Sequence, residues 1–215
     1  MRGMNKTDGA VFVVAMRREA DAVRPHLRPG DRLVVCGIGK VNAAAATQRA
    51  ICDGAAEIWN VGAAGGFGRG MKVGDCVVVE RAVEYDFDLS EVNGTQAGVL
   101  DGRDTPYFPC AADFAPRLPR ATLASGDRFG DRFEADDSAT LAALGATVRD
   151  MEGAAVAHVC EANGVPCRIV KAISDVRGDG SMVGQYEASL GTALDALSAA
   201  MREALATCPQ TQGGK

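Results

Sequence analysis

Between Val148 and Asp175 the chain reads VRDMEGAAVAHVCEANGVPCRIVKAISD, and this stretch limits the possible folds more than any other. Gly153 to Asn163 carries small and apolar residues at helical spacing, and Gly164 followed by Pro166 is the order in which a helix stops and a strand begins. The next run, Cys167 to Ile173, is nearly all apolar and β-branched with Lys171 as its one strong interruption, so it reads as a central parallel strand covered on both faces. Open α/β sheets bind ligands just beyond the carboxyl ends of such strands. Glu152 and Asp175 are therefore expected as two carboxylates near a sheet crevice, one beginning a helix and one ending a strand.

Strand signals recur at Val11 to Ala15, Leu33 to Cys36, Glu57 to Val61, Asp75 to Glu80 and Thr122 to Ala124. Helical patterns fill the gaps at Glu19 to Leu27, Val41 to Asp53, Ser138 to Leu144, Gly153 to Asn163 and Gln185 to Ala206. This alternation predicts an α/β fold, a three-layer α/β/α domain with a central mixed, mostly parallel twisted sheet. In the last helix Leu190, Leu194, Leu197, Met201 and Leu205 recur at spacings of three and four, so one stripe is expected to be buried. Asp88 to Pro119 is rich in Gly, Pro, Asp and Asn without helical period, and a loop that long is usually functional or part of an interface.

A chain of 215 residues is long enough to bury a core as one domain over 1–215, with 1–9 and 208–215 expected to fray. Its net charge of −5 argues against a nucleic-acid surface, which needs clustered positive charge. The cysteines, at 36, 52, 76, 110, 160, 167 and 208, lack CxxC or Cys/His ligand spacing, and read as core residues of a reducing compartment rather than metal ligands. The N-terminal MRGMNKTDGA has no apolar stretch of signal-peptide type, and no apolar run reaches membrane-spanning length. A cytoplasmic protein with no membrane, metal or cofactor is the expectation.

Two glycine-rich segments follow predicted strands, CGIGKVNAA around Gly37 and Gly39, and NVGAAGGFGRG from Asn60 to Gly70. The first is a partial dinucleotide fingerprint with Asn42 where the third glycine would stand, and the second lacks the Lys and Ser/Thr of a phosphate-binding loop. For Gly39 taken alone, tight strand-to-helix packing is the better explanation. Taken singly, Asp175 could cap the next turn, and Glu152 and Glu19 could answer a helix dipole.

The ordered set says more than its members. AMRREADAV from Ala15, GIGKVNAA from Gly37, NVGAAGG from Asn60, KVGDCVV from Lys72, SGDRF from Ser125, MEGAAVAHVC from Met151 and KAISD from Lys171 together resemble the nucleoside phosphorylase superfamily over almost the whole chain. Within it the likeness is to the 5′-methylthioadenosine/S-adenosylhomocysteine nucleosidases. The resemblance implies a metal-free enzyme that hydrolyses the N-glycosidic bond of an adenosine-type nucleoside (5′-methylthioadenosine, S-adenosylhomocysteine or 5′-deoxyadenosine) and releases adenine. By it, Asp175 protonates the departing base, oriented by Ser174, and Glu19 deprotonates the attacking water. An N-glycosidic bond breaks through an oxocarbenium-like sugar, and the base leaves poorly unless protonated.

The resemblance also makes Glu152 the ribose anchor, packs Met151 beneath the sugar and stacks Phe129 on the purine, whose edge is read by backbone of Phe129 and Gly130. Ala63 and Gly65 join the substrate side, Ile38 and Met16 line the pocket for the 5′ group, and Tyr107, Phe108, Met182 and Tyr186 are further candidates there. Ala63 and Lys171 join the expected contacts near the place of the attacking water; the nucleosidases usually have Ser and Arg there, and Lys keeps the charge of Arg without its planar fork. The hairpin common after the first helix is missing, and Asp88 to Pro119 departs from the usual sequence. Asn60 stands where related phosphorylases place a phosphate-binding Arg, which favours hydrolysis. A phosphate-dependent phosphorylase and a noncatalytic nucleoside sensor are the rival readings. Family members are typically homodimers, and Phe87, Tyr107 and Phe108 are expected either at that interface or in a lid.

Overall fold

The computed structural model describes residues 9–67, 69–131 and 134–209. Eight strands form one sheet: β1 (Val11–Val14), β2 (Arg32–Val35), β3 (Ile58–Gly66), β4 (Cys76–Glu84), β5 (Tyr107–Pro109), β6 (Arg120–Ser125), β7 (Val148–Asp150) and β8 (Cys167–Val176). The helices are α1 (Arg17–Val23), α2 (Lys40–Cys52), the short α3 (Ser90–Asn93), α4 (Glu134–Ala143), α5 (Gly153–Asn163) and α6 (Met182–Thr207).

The two longest-paired strands organise everything else. β3 pairs in parallel with β8 along one edge, while its other edge is shared, Ile58 to Asn60 pairing with β1 and Gly65 to Gly66 with β7. β4 does likewise, with Cys76 to Val79 antiparallel to β8, Arg81 to Val83 antiparallel to β5, and β6 parallel along its opposite edge. Because β6 also pairs with β7, the strands β3, β8, β4, β6 and β7 close into a ring, with β1 and β2 extending from β3. The α/β class expected from the alternation holds, with the twist of the mixed sheet carried to closure.

Helices cover both faces. Leu190, Leu194, Leu197 and Met201 of α6 bury against Phe12, Trp59 and Val170, as the spacing of three and four requires. On the other face the small residues Ala43 and Ala50 of α2 and Val156 and Cys160 of α5 meet Val11, Ile58 and Ile169. α5 ends at Gly164, whose φ of 64° is left-handed, and this is the helix stop read from the sequence. β8 is buried at every position, as a strand with neighbours on both edges and helices on both faces must be.

Several boundaries differ from expectation. NVGAAGG makes up all of β3 after its first two residues, rather than a loop. β7, only three residues long, gives no periodic signal, and β5 lies inside the stretch expected to be loop. Most of the ends expected to fray lie outside the described residues, but Gly9 is buried against the Gly30 carbonyl and Cys208 is buried at the end of α6.

Candidate active site

The carboxyl ends of β1, β3 and β8 open into a cavity of about 370 Å³, within the usual range for small-molecule sites. Glu19, Glu152 and Asp175 all line it, although they come from the first helix, the fifth helix and the last strand.

Glu19 sits in the first turn of α1 and is 3% exposed. Its Oε2 accepts the N–H of Met16 at 2.9 Å, the local bond expected at a helix start, while its Oε1 accepts the N–H of Ala63 on β3 at 2.9 Å. The carboxylate occupies the space a side chain at position 62 would take, since a Cβ on Gly62 would stand 2.3 Å from Oε1. Burial raises the affinity of Glu19 for its proton above the ordinary glutamate range, and the charge of Lys171 opposes this.

Glu152 forms the N-cap of α5, yet its side chain does not serve its own helix. Oε1 accepts the N–H of Gly39 at 2.8 Å, which joins the loop after β2 to the start of α5. Asp150 caps α5 in its place, accepting the N–H of Gly153 at 2.9 Å, the N–H of Glu152 at 3.2 Å and the hydroxyl of Ser125. Burial, followed by the neighbouring charge of Asp150, pushes Glu152 up to a pKa of about 7.

Behind these carboxylates Lys171 is 1% exposed, with Nζ 2.7 Å from Asp150 Oδ2. Burial would lower its pKa, but Asp150, Glu152 and Glu19 together outweigh that and hold it above the usual lysine value. The single apolar-strand interruption seen in the sequence is thus a cation placed among three carboxylates.

Asp175 is 2% exposed, and its Oδ1 accepts the hydroxyl of Ser174 at 2.8 Å. Oδ2 lies over Gly65, where a Cβ would come within 2.8 Å. Burial raises its pKa, partly offset by the Ser174 hydrogen bond and the charge of Arg149. The strand end is fastened to α6 by Gln185, whose Oε1 accepts the N–H of Val176 at 2.9 Å and whose Nε2 donates to the Val176 carbonyl at 3.0 Å.

Apolar groups complete the lining. Phe129 and Tyr186 meet edge to face with ring centroids 5.4 Å apart, and the Tyr186 hydroxyl lies 3.3 Å from the sulfur of Met16. Ile38, Ala63, Gly65, Met151 and Ser174 are also on the wall. Ile38 is 54% exposed and Phe129 40% exposed at the mouth.

Two of the expected contact residues stand outside this lining. Lys171 is screened by its pairing with Asp150, and Gly130 lies beyond Phe129 toward Val183. Tyr107, Phe108 and Met182 do not line it either: the Tyr107 hydroxyl donates to the Leu144 carbonyl, Phe108 stacks on His158 and Met182 is buried beside Arg149. Ala15, Ala64, Arg149 and Asp150 line the cavity without having been singled out, and for Asp150 the acidic pair it makes with Glu152 was the available signal. Among the described residues no group of three or more His, Cys, Asp or Glu is arranged to hold a metal ion, and no helix is long and apolar enough to cross a membrane.

A sequence model of the phosphorylase superfamily matches residues 29–206. The 5′-methylthioadenosine/S-adenosylhomocysteine nucleosidase of Actinobacillus succinogenes is 35% identical over 169 residues, covering 72% of this chain and 71% of the relative. The crystal structure of the nucleosidase of that name from Neisseria meningitidis, in complex with methylthio-immucillin-A, is similar with a TM-score of 0.81 and 25% identity, over 92% of this chain and 98% of that one. Futalosine hydrolase of Helicobacter pylori shares the fold, with a TM-score of 0.80 at 20% identity over 93% of this chain and 98% of its own.

Proposed function

The chain belongs to the phosphorylase superfamily, and on that footing we propose that it is a purine nucleosidase, hydrolysing the N-glycosidic bond of an adenosine-type nucleoside and releasing adenine. The observation that carries this reading is that Asp175 and Glu19, each with its pKa raised by burial, line one cavity of nucleoside size. Asp175 protonates the imidazole ring of the leaving base as the bond to C1′ breaks, and the electron pair stays on the base. Glu19 takes a proton from the water whose oxygen joins C1′, and attack from the side away from the base inverts that carbon. Glu152 accepts from the ribose hydroxyls, Met151 packs beneath the sugar, and Phe129 covers the purine face.

Water is the better acceptor of the sugar here. Glu19 would repel an anionic phosphate in the position it offers to water, and Asn60, where an arginine would be needed, is 1% exposed and donates its amide to the Val13 carbonyl. Lys171 contributes by holding Asp150, and through its charge keeps Glu19 and Glu152 from rising further. The relatives' names favour 5′-methylthioadenosine and S-adenosylhomocysteine as substrates, with 5′-deoxyadenosine as a third candidate. The chain acts as a homodimer whose second copy covers the mouth at Ile38 and Phe129, and seven free thiols suit the cytoplasm.

Release of adenine from 5′-methylthioadenosine, followed by chromatography in phosphate-free buffer and again with phosphate, tests the reaction. Adenine with free sugar in both buffers is expected; dependence on phosphate would make the protein a phosphorylase, and binding without release a sensor. Asp175→Asn is expected to abolish release while the far-ultraviolet circular dichroism is unchanged, and a variant with near-normal turnover would remove Asp175 from the role of acid.

A further inference from the structure

The cavity wall contains a cation that this mechanism leaves unused. Arg149 is 5% exposed and lines the cavity from β7. Its backbone pairs with Gly65 on one edge of β3, while Asp175 pairs with Gly65 on the other. Arg149 therefore stands across β3 from the proposed acid, close enough for its charge to act on that carboxyl. Among the described residues its nearest counter-charge is Asp137, with Nη1 3.4 Å from Oδ2. That carboxylate is shared, since its Oδ1 lies 2.6 Å from Arg128 and its Oδ2 accepts the Tyr85 hydroxyl at 2.9 Å. The Met182 sulfur stands 3.8 Å from Nη2 and the Phe67 ring centroid 5.5 Å from the guanidinium carbon, and the charge also reaches Asp175.

A guanidinium has five N–H donors and no acceptor. A 6-aminopurine presents an N–H₂ beside N7, so the exocyclic group would set donor against donor. A 6-oxopurine presents O6 beside N7, the pair of acceptors that arginine reads in nucleic acids. We propose that this cavity also takes 6-oxopurine nucleosides, Arg149 donating to O6 of the base while Asp175 protonates the imidazole nitrogen beside it. The inference rests on the nucleosidase reading and adds to it the class of base. The reaction is unchanged in balance: the bond to C1′ breaks toward the base, which gains the proton of Asp175, and water gives its oxygen to C1′ and a proton to Glu19, yielding hypoxanthine and free sugar.

The test compares 5′-methylthioinosine with 5′-methylthioadenosine by release of the free base, for the unaltered protein, Arg149→Met and Arg149→Lys. For the unaltered protein kcat/KM on the inosine compound is expected within about tenfold of that on the adenosine compound, and Arg149→Met lowers the ratio of the two by about tenfold or more, the scale of a lost hydrogen bond to a charged group. Arg149→Lys, which keeps a charge and donors, is expected between them. Adenine release without hypoxanthine release from the unaltered protein overturns the inference and leaves the nucleosidase standing, and this comparison decides even if Arg149→Met fails to fold. Release of neither base overturns both readings. An equal loss on both substrates in Arg149→Met would make Arg149 a structural residue and overturn its assignment to O6.

Discussion

At the scale of single residues the site depends on side chains that are missing. Gly62 leaves room for the carboxylate of Glu19 and Gly65 for that of Asp175. Gly62→Ala is expected to displace Glu19 and lower kcat/KM by roughly 10²-fold, the cost of misplacing a reacting group by about 1 Å, with KM for the nucleoside changed far less; steady-state kinetics on the purified variant reads both. Glu152 gives a pH effect of definite sign. Its folded pKa, about 7, lies above the ordinary value of 4.5, so the native state holds more protons than the unfolded state between those values, and stability contributed by this group falls as pH rises through that window. Denaturant midpoints measured from pH 4.5 to 7 are expected to decline less steeply in Glu152→Gln than in the unaltered protein. The carboxylates themselves were legible in the sequence because they occur at element starts and ends in a recognisable order. Arg149 and the true position of Lys171 were not, because both are fixed by partners distant in sequence: Gly65 across the sheet for the first, and for the second the carboxylates of Glu19, Asp150 and Glu152 gathered from three elements.

At the scale of elements, β3 shows why sequence pattern misleads locally. Gly in a strand interior weakens it and commonly marks close approach of another group. In NVGAAGG the glycines are there for that approach, and pairing with β8 along the full length keeps the segment a strand. β7 escaped notice for a different reason, since three residues cannot display a period, and β5 is formed by its pairing with β4 rather than by its own composition. The junction of β8 with α6 adjoins Asp175. Gln185→Ala removes both hydrogen bonds to Val176 and is expected to cost about 1–3 kcal/mol, with a larger fractional loss in kcat than in substrate affinity because Asp175 precedes Val176. Urea unfolding and saturation kinetics on the same preparation separate the two effects.

For the molecule as a whole, the alternation of strands and helices was enough to give the fold class, because buried strands and amphipathic helices leave few ways to cover both faces of a sheet. Ring closure was not legible, since it depends on where β3 and β4 hand an edge from one partner to another. The expected roles of Tyr107 and Phe108 in a lid or interface give way to their packing within the chain, with Arg103 over the Phe108 ring and Arg81 over Tyr107. Among the described residues the exposed apolar side chains include Ile38 and Phe129 of the cavity lining, Val183, and Val41, 78% exposed on the first turn of α2. If a second copy covers this surface, Val41→Asp is expected to shift the protein from dimer to monomer in sedimentation equilibrium and to raise KM severalfold; an unaltered sedimentation profile would place the interface elsewhere.

The position of β8 has a consequence for biosynthesis. Among the described strands it comes last in the chain, yet it lies between β3 and β4, paired with both. Until β8 is made, β3 and β4 lack the partner they share, and open edges of apolar strands invite pairing with other chains. Protection of those edges before β8 pairs is therefore expected to raise the share of the protein that a cell recovers in folded form.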